Sequence, residues 1–214
     1  LFLQEVEHQS GDLGQCANGS TRPRDSPMNR APGQVRIIAG RLRGSKLPVP
    51  DSPGLRPTPD RARETLFNWL QGRVMGARAI DLFAGTGALG FEAVSRGAAE
   101  VVMLERDPAL AAGLRAQAQR LQCPEARIEC ADALAWLGRA DATARFDLAF
   151  LDPPFPAGLW QAVASALQPH LADGALIHVE SPIGAAFALP AGWRLHREGK
   201  TREVRHALYV KELA

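Results

Sequence analysis

From residue 35 onward, short apolar runs alternate with stretches in which apolar residues recur every three to four positions. Ahead of that, residues 1–30 are polar, rich in Gly, Ser, Asn and Pro, and show neither period, so no element is predicted there. The chain opens on Leu1, and Met28 stands just before the first patterned stretch. Residues 1–27 are therefore read as a mis-assigned start or an added tail. Residues 35–49 predict two short strands around a turn near Gly40 to Gly44, closed by Pro48 and Pro50. A helix is predicted over 59–70, with Thr58 as N-cap and Pro59 in the first helical position. Its apolar face is Ala62, Leu66, Trp69 and Leu70, while Arg61, Arg63 and Glu64 point elsewhere. An alternating series follows: strand 77–80, helix 88–96 stopping at Gly97, strand 100–105, helix 108–121, strand 126–130, helix 133–137, strand 146–151, helix 158–167 and strand 175–180. Two strands, 193–198 and 204–210, end the chain with no long helix between them. This rhythm predicts an α/β fold, a mostly parallel sheet with helices on both faces and an antiparallel last strand. The domain reading is a tail over 1–30, a hairpin-plus-helix extension over 31–72, and a main domain over 73–214.

Composition changes this picture in two places. The net charge of +2 hides an asymmetry, because residues 22–63 hold ten basic and three acidic side chains. A basic segment on a near-neutral domain points to a polyanionic partner, against the plainer reading of a solvated basic surface. Cys16, Cys123 and Cys130 are odd in number and form no Cys-x-x-Cys pair. No disulfide framework or zinc site is supported, and His8, His170, His178, His196 and His206 show no metal or triad spacing, so no metal is expected. With no secretory signal and no membrane-length apolar run, a reduced cytoplasmic protein is expected.

Between strand 77–80 and helix 88–96 stands Asp81-Leu82-Phe83-Ala84-Gly85-Thr86-Gly87-Ala88-Leu89-Gly90. Strand, glycine turn and helix N-terminus form a recipe for holding a nucleotide-like ligand. Gly85, Gly87 and Gly90 satisfy G-x-G-x-x-G, with Glu105 about 20 residues on, which fits a dehydrogenase as well as a methyltransferase. Asp81 bears on that choice. A carboxylate beside the turn repels a pyrophosphate but attracts the ammonium and sulfonium of S-adenosylmethionine; the plainer reading is that Asp81 only caps the turn. Asp81, Glu105, Asp132 and Asp152 all lie at or just past predicted strand ends, where open α/β sheets bind ligands. Glu105 could accept both ribose hydroxyls and Asp132 the adenine amino group, although Asp132 also suits a helix cap. After strand 146–151 comes Asp152-Pro153-Pro154-Phe155. Asp152 and the Pro153 carbonyl can both accept hydrogens from one exocyclic amine, drawing it toward tetrahedral geometry and freeing its lone pair. Phe155 offers a stacking face for an extruded base.

On these residues the chain resembles class I S-adenosylmethionine-dependent amino-methyltransferases. More closely, it resembles the bacterial small-subunit ribosomal RNA guanine-2-amino methyltransferases of the RsmD type. The matching text is Arg36-Ile37-Ile38-Ala39-Gly40, Leu55-Arg56-Pro57-Thr58, Asp60-Arg61, Arg63-Glu64-Thr65-Leu66-Phe67-Asn68-Trp69-Leu70, Asp152-Pro153-Pro154-Phe155 and Leu195-His196-Arg197-Glu198. Pro59 departs from it, where Thr or Ser is expected. The resemblance covers about Val35 to Leu213 and implies a Rossmann-like sheet, S-adenosylmethionine as cofactor, and methylation of one guanine of 16S RNA in the small ribosomal subunit or its precursor. A monomer without membrane association is expected. The implied cofactor set is Asp81, Phe83, Ala84, Gly85, Thr86, Gly87, Glu105, Arg106, Asp132 and Ala133. The implied catalytic set is Asp152, Pro153, Pro154 and Phe155. Arg36, Arg41, Arg43, Lys46, Arg56, Arg61 and Arg63 are the candidate RNA contacts. Rival readings are a DNA adenine-6-amino methyltransferase, for whose usual target-recognition domain little length remains, and a nicotinamide-dependent oxidoreductase, which leaves Asp81 and the Asp152 motif unexplained. A non-catalytic RNA-binding module would not need the aligned carboxylates.

Overall fold

In a computed structural model, the structure describes residues 33–50, 59–141, 145–155 and 158–213. The tail, Thr58 and Arg56 lie outside the described residues. Two three-residue strands, β1 (Gln34–Arg36) and β2 (Lys46–Pro48), pair antiparallel, as the hairpin pattern predicts. Helix α1 (Asp60–Trp69) follows. The remaining strands form one seven-stranded sheet in the order β5 (Ala126–Cys130), β4 (Glu100–Glu105), β3 (Arg78–Asp81), β6 (Phe146–Leu151), β7 (Leu171–Pro182), β9 (Val204–Lys211), β8 (Trp193–Lys200). The first five run parallel, and β9 lies antiparallel between β7 and β8. Helices α2 (Ala88–Ser95), α3 (Pro108–Arg120), α4 (Ala133–Leu137) and α5 (Trp160–Leu167) connect them. No helix among the described residues is long and apolar enough to cross a membrane.

Three local expectations need correction. Pro59 is itself the N-cap of α1, in extended backbone and without a side-chain cap, because proline carries no oxygen to offer; Asp60 is the first helical residue. Helix α5 starts two residues later than expected, since Gly158 has φ +61 and lies outside helical space. Strand β7 is twice the predicted length. The strand begins at Leu171 and runs through Asp173-Gly174, with the ladder to β6 shifting register between Phe146 and Leu148.

The sheet buries an apolar layer on each face. Val35, Ile37, Leu47, Leu66, Phe67 and Leu70 of the hairpin and α1 join Leu89, Met103, Leu148 and Phe150 in one layer, while α4 and α5 cover the other. The N-terminal extension therefore shares a core with the sheet. Phe67, which the helical reading omitted, packs its ring 6.0 Å from that of Phe150.

Polar contacts fasten the same seam. The backbone N–H groups of Ile38 and Ala39 donate to Glu92 of α2 at 2.7 and 3.1 Å. Arg41 N–H donates to the Ser95 carbonyl at 2.9 Å, and Leu42 N–H to the Ser95 hydroxyl at 2.9 Å. Gly40 sits so close, at φ +80, that a Cβ there would stand 1.9 Å from the Ser95 carbonyl oxygen. Arg63 was expected to point away from the core and to contact RNA. It is instead fully buried, 3.7 Å from Glu92, donating to Asp60 at 2.6 Å and to the Arg36 carbonyl at 2.8 Å. A guanidinium in that position braces the hairpin and cannot reach a phosphate.

Candidate active site

The parallel strands end on one edge of the sheet, and the predicted carboxylates collect there. Asp81 is the last residue of β3 and is buried. The turn after it is glycine-dependent: Gly85 and Gly87 have φ +51 and +76, and a Cβ on Gly87 would meet Leu114 and Phe91 at 2.7 Å. Glu105, ending β4, accepts from Gly85 N–H at 3.0 Å and from Asp107 N–H at 2.8 Å. It thereby ties the glycine turn to the neighbouring strand, while each oxygen keeps a lone pair for a ligand hydroxyl. Arg106 beside it is exposed, and Asp107, which the sequence reading passed over, caps α3 through Ala109 and Leu110. Asp132 does cap its helix, accepting from Ala135 N–H at 3.0 Å, with Ala133 buried behind it. Phe83, Ala84 and Thr86 complete the turn, the last two buried.

Beyond β6, Asp152 is half-buried, Pro153 buried, and Pro154 and Phe155 exposed. The Phe155 ring lies 6.0 Å from Trp160, which stacks on Phe187 at 5.5 Å. One residue here escaped the sequence reading. Glu180, near the end of β7, is buried and 3.3 Å from His206 of β9. It was assigned only as a strand terminus; its place one strand over from Asp152 follows from the sheet order.

These carboxylates share an apolar setting. Burial pushes Asp81 up to about 7, with Glu105 adding repulsion and the N–H groups of Phe83 and Gly90 partly offsetting both. Asp152 is raised well above the ordinary carboxylate range by burial and then by the charges of Glu180 and Asp81. Burial also raises Glu180 to about 7. His178, two residues earlier on β7, is lowered to about 3 by burial and by His206. Among the described residues neither Asp81 nor Asp152 has an ion-pair partner. An acidic edge beside a glycine turn and a helix N-terminus fits a ligand that brings its own positive charge.

The conserved hypothetical protein 95 family matches residues 35–210. The ribosomal RNA small subunit methyltransferase D of Escherichia coli is 45% identical over 189 residues, covering 87% of this chain and 94% of that protein. Its namesake in Haemophilus influenzae is 43% identical over 84% of this chain and 95% of its own. The chain belongs to this methyltransferase D family. A solved Escherichia coli structure described as a candidate methyltransferase superposes with a TM-score of 0.77 at 42% identity, over 84% of this chain and 99% of that one. The fold is the Rossmann-like class I methyltransferase sheet, and S-adenosylmethionine is the methyl donor. The acidic edge is the candidate site for that donor.

The pKa of Asp81 gives this assignment a pH signature. A cation pairs with the ionised carboxylate, so below about pH 7 binding must first drive the proton off. Affinity for S-adenosylmethionine, measured by calorimetry, should rise about tenfold per unit from pH 5.5 to pH 6.5 and level off above about pH 7.5. A flat profile would leave Asp81 as a turn cap alone.

Proposed function

We propose that this enzyme methylates the exocyclic 2-amino group of a guanine in 16S ribosomal RNA, within the small subunit or its precursor, as a cytoplasmic monomer. The observation that carries this reading is the placement of Asp152 and the Pro153 carbonyl at the strand edge next to the donor site, with the Phe155 ring exposed beside them. S-adenosylmethionine supplies the methyl group. Asp152 and Pro153 hold the two amine hydrogens, so the nitrogen lone pair, otherwise delocalised into the ring, points at the methyl carbon. As the N–C bond forms, the bond from the methyl to the donor's sulfur breaks and S-adenosylhomocysteine leaves, while one N–H proton passes to Asp152 or to water. Phe155 stacks on the extruded base. Asp81 and the Gly85–Gly87 turn grip the donor, Glu105 and Arg106 border its ribose, and Asp132 and Ala133 border its adenine. The relatives' names, which specify small-subunit ribosomal RNA, support the substrate class.

The direct test is methyl transfer from labelled S-adenosylmethionine to small subunits from a strain lacking the gene, with the product nucleoside identified and mapped. N2-methylguanosine at a single position is expected. N6-methyladenosine, or no product from RNA, would overturn the reading.

RNA docking falls to the exposed cations of the extension. Arg36, Arg43, Lys46 and Arg61 are exposed and have no ion pair among the described residues. Arg41 is less suited than expected, since it pairs with Glu125 at 2.7 Å. Changing Arg36, Arg43 and Lys46 together to Ala should flatten the slope of log affinity against log salt by roughly two to three units. Cofactor affinity should stay within about twofold. An unchanged slope in subunit binding across a salt series would move the docking role to another surface.

A further inference from the structure

We propose that Glu180 reads the target base, its carboxylate accepting the N1–H of guanine while Asp152 accepts from the adjacent 2-amino group. This rests on the assignment of Asp152 above. Leu151 of β6 is in register with Val179 of β7, so the next residues along these parallel strands are Asp152 and Glu180. Leu151 and Val179 both face the α4–α5 side. Alternation carried one residue past the end of β6 turns Asp152 and Glu180 to the opposite face together, about one strand spacing of 4.8 Å apart, and the charge of Glu180 acts on Asp152. His206 is the register partner of Glu180 on β9 and continues the row.

Hydrogen bonds within the row are few. Glu180 Oε2 is buried and makes no hydrogen bond, though His206 Nδ1 stands 3.3 Å away. The Glu180 backbone is held separately, its carbonyl accepting from Trp160 Nε1 at 2.7 Å. Two neighbouring carboxylates, Glu180 buried and Asp152 half-buried, with so few hydrogen bonds call for a ligand that brings donors side by side. Guanine's Watson–Crick edge does this, with N2–H next to N1–H. Adenine presents a lone pair at N1, and cytosine one at N3, so either would set acceptor against acceptor. A site built to receive a donor rejects an analogue lacking it more strongly than shape alone can. Glu180 thus accounts for the choice of guanine, a role Asp152 cannot fill because every exocyclic amine offers it the same two hydrogens.

The test is single-turnover methyl transfer to undermethylated small subunits carrying either guanine or 2-aminopurine at the mapped position. 2-Aminopurine keeps the reacting amine but has a lone pair at N1. Wild-type enzyme should methylate guanine at least about tenfold faster. Glu180→Gln should lose roughly 10- to 100-fold on guanine. It should lose nothing on 2-aminopurine or gain, because its amide can donate to N1. Melting temperature and S-adenosylmethionine affinity, measured alongside, should match wild type. Equal losses on both bases, or none on guanine, would overturn the proposal while leaving Asp152 in place. Failure of the wild-type enzyme on guanine would overturn the parent reading as well. His178, Glu180 and His206 also offer ligand atoms within 4.8 Å of one another, so the assay is repeated after chelation. An unchanged rate supports base reading. Loss of activity restored by Zn2+ would assign the cluster to a metal and overturn it.

Discussion

Asp152→Ala is expected to cut methyl transfer by about 100- to 1000-fold, the usual consequence of losing one positioned hydrogen-bonding group at a reacting centre. Affinity for S-adenosylmethionine should stay within about twofold, because the proposed donor contacts lie at the ends of β3 and β4, whereas Asp152 follows β6. The mechanism needs an acceptor there and not only a charge, so Asp152→Asn should retain more activity than the Ala variant. Asp152 also stands beside Glu180 and Asp81 and is raised by both. Removing its charge relieves that repulsion, so the variant should melt no lower than wild type even as catalysis collapses. Single-turnover rates paired with calorimetry and thermal melting separate these effects. Near-normal turnover of the Ala variant would remove Asp152 from the reaction.

Glu92→Ala should be the most destabilising single change at the seam between extension and sheet. Glu92 is fully buried and accepts from Ile38 N–H, Ala39 N–H and Arg96 Nε, with Arg63 Nη1 at 3.7 Å. Its removal deletes a buried carboxylate beside the wholly buried Arg63, whose Asp60 partner is largely exposed. Breaking a buried pair by deleting one partner costs about 3–5 kcal/mol, far more than the pair contributes relative to an apolar replacement. For a chain of this size that corresponds to a fall in melting temperature of roughly 6–20 °C. Glu92→Gln keeps the acceptor for the two backbone N–H groups and should lose less. A loss below about 1 kcal/mol for the Ala variant in urea denaturation would show that Arg63 finds compensation elsewhere. Since Glu92 also clasps the Ile38–Ala39 turn, weaker RNA binding should accompany the lost stability, with cofactor affinity least affected.

Most of the fold was legible in the chain because its signals are local. The strand, glycine turn and helix around Asp81 through Gly90 follow from backbone demands that neighbours in sequence meet by themselves. The β/α alternation and the helix-free final pair likewise gave a parallel sheet with an antiparallel last strand. Asp81, Glu105, Asp132 and Asp152 could be singled out because each stands at or just past the carboxyl end of a predicted strand. The tertiary structure decided whatever depends on partners far along the chain. Arg63 has the same composition signal as Arg61, yet one is buried beside Glu92, twenty-nine residues later, and the other is exposed. Arg41 lost its place among the free cations to Glu125 for the same reason. Glu180 looked like the end of a strand until the sheet order set β7 beside β6 and β9 and drew Asp152, Glu180 and His206 into one row. Charge and hydropathy along a chain report what a residue can do. Which opposing group stands within a few ångströms is set by sheet order and helix packing, and there a buried ion pair or an unmet acceptor acquires its meaning.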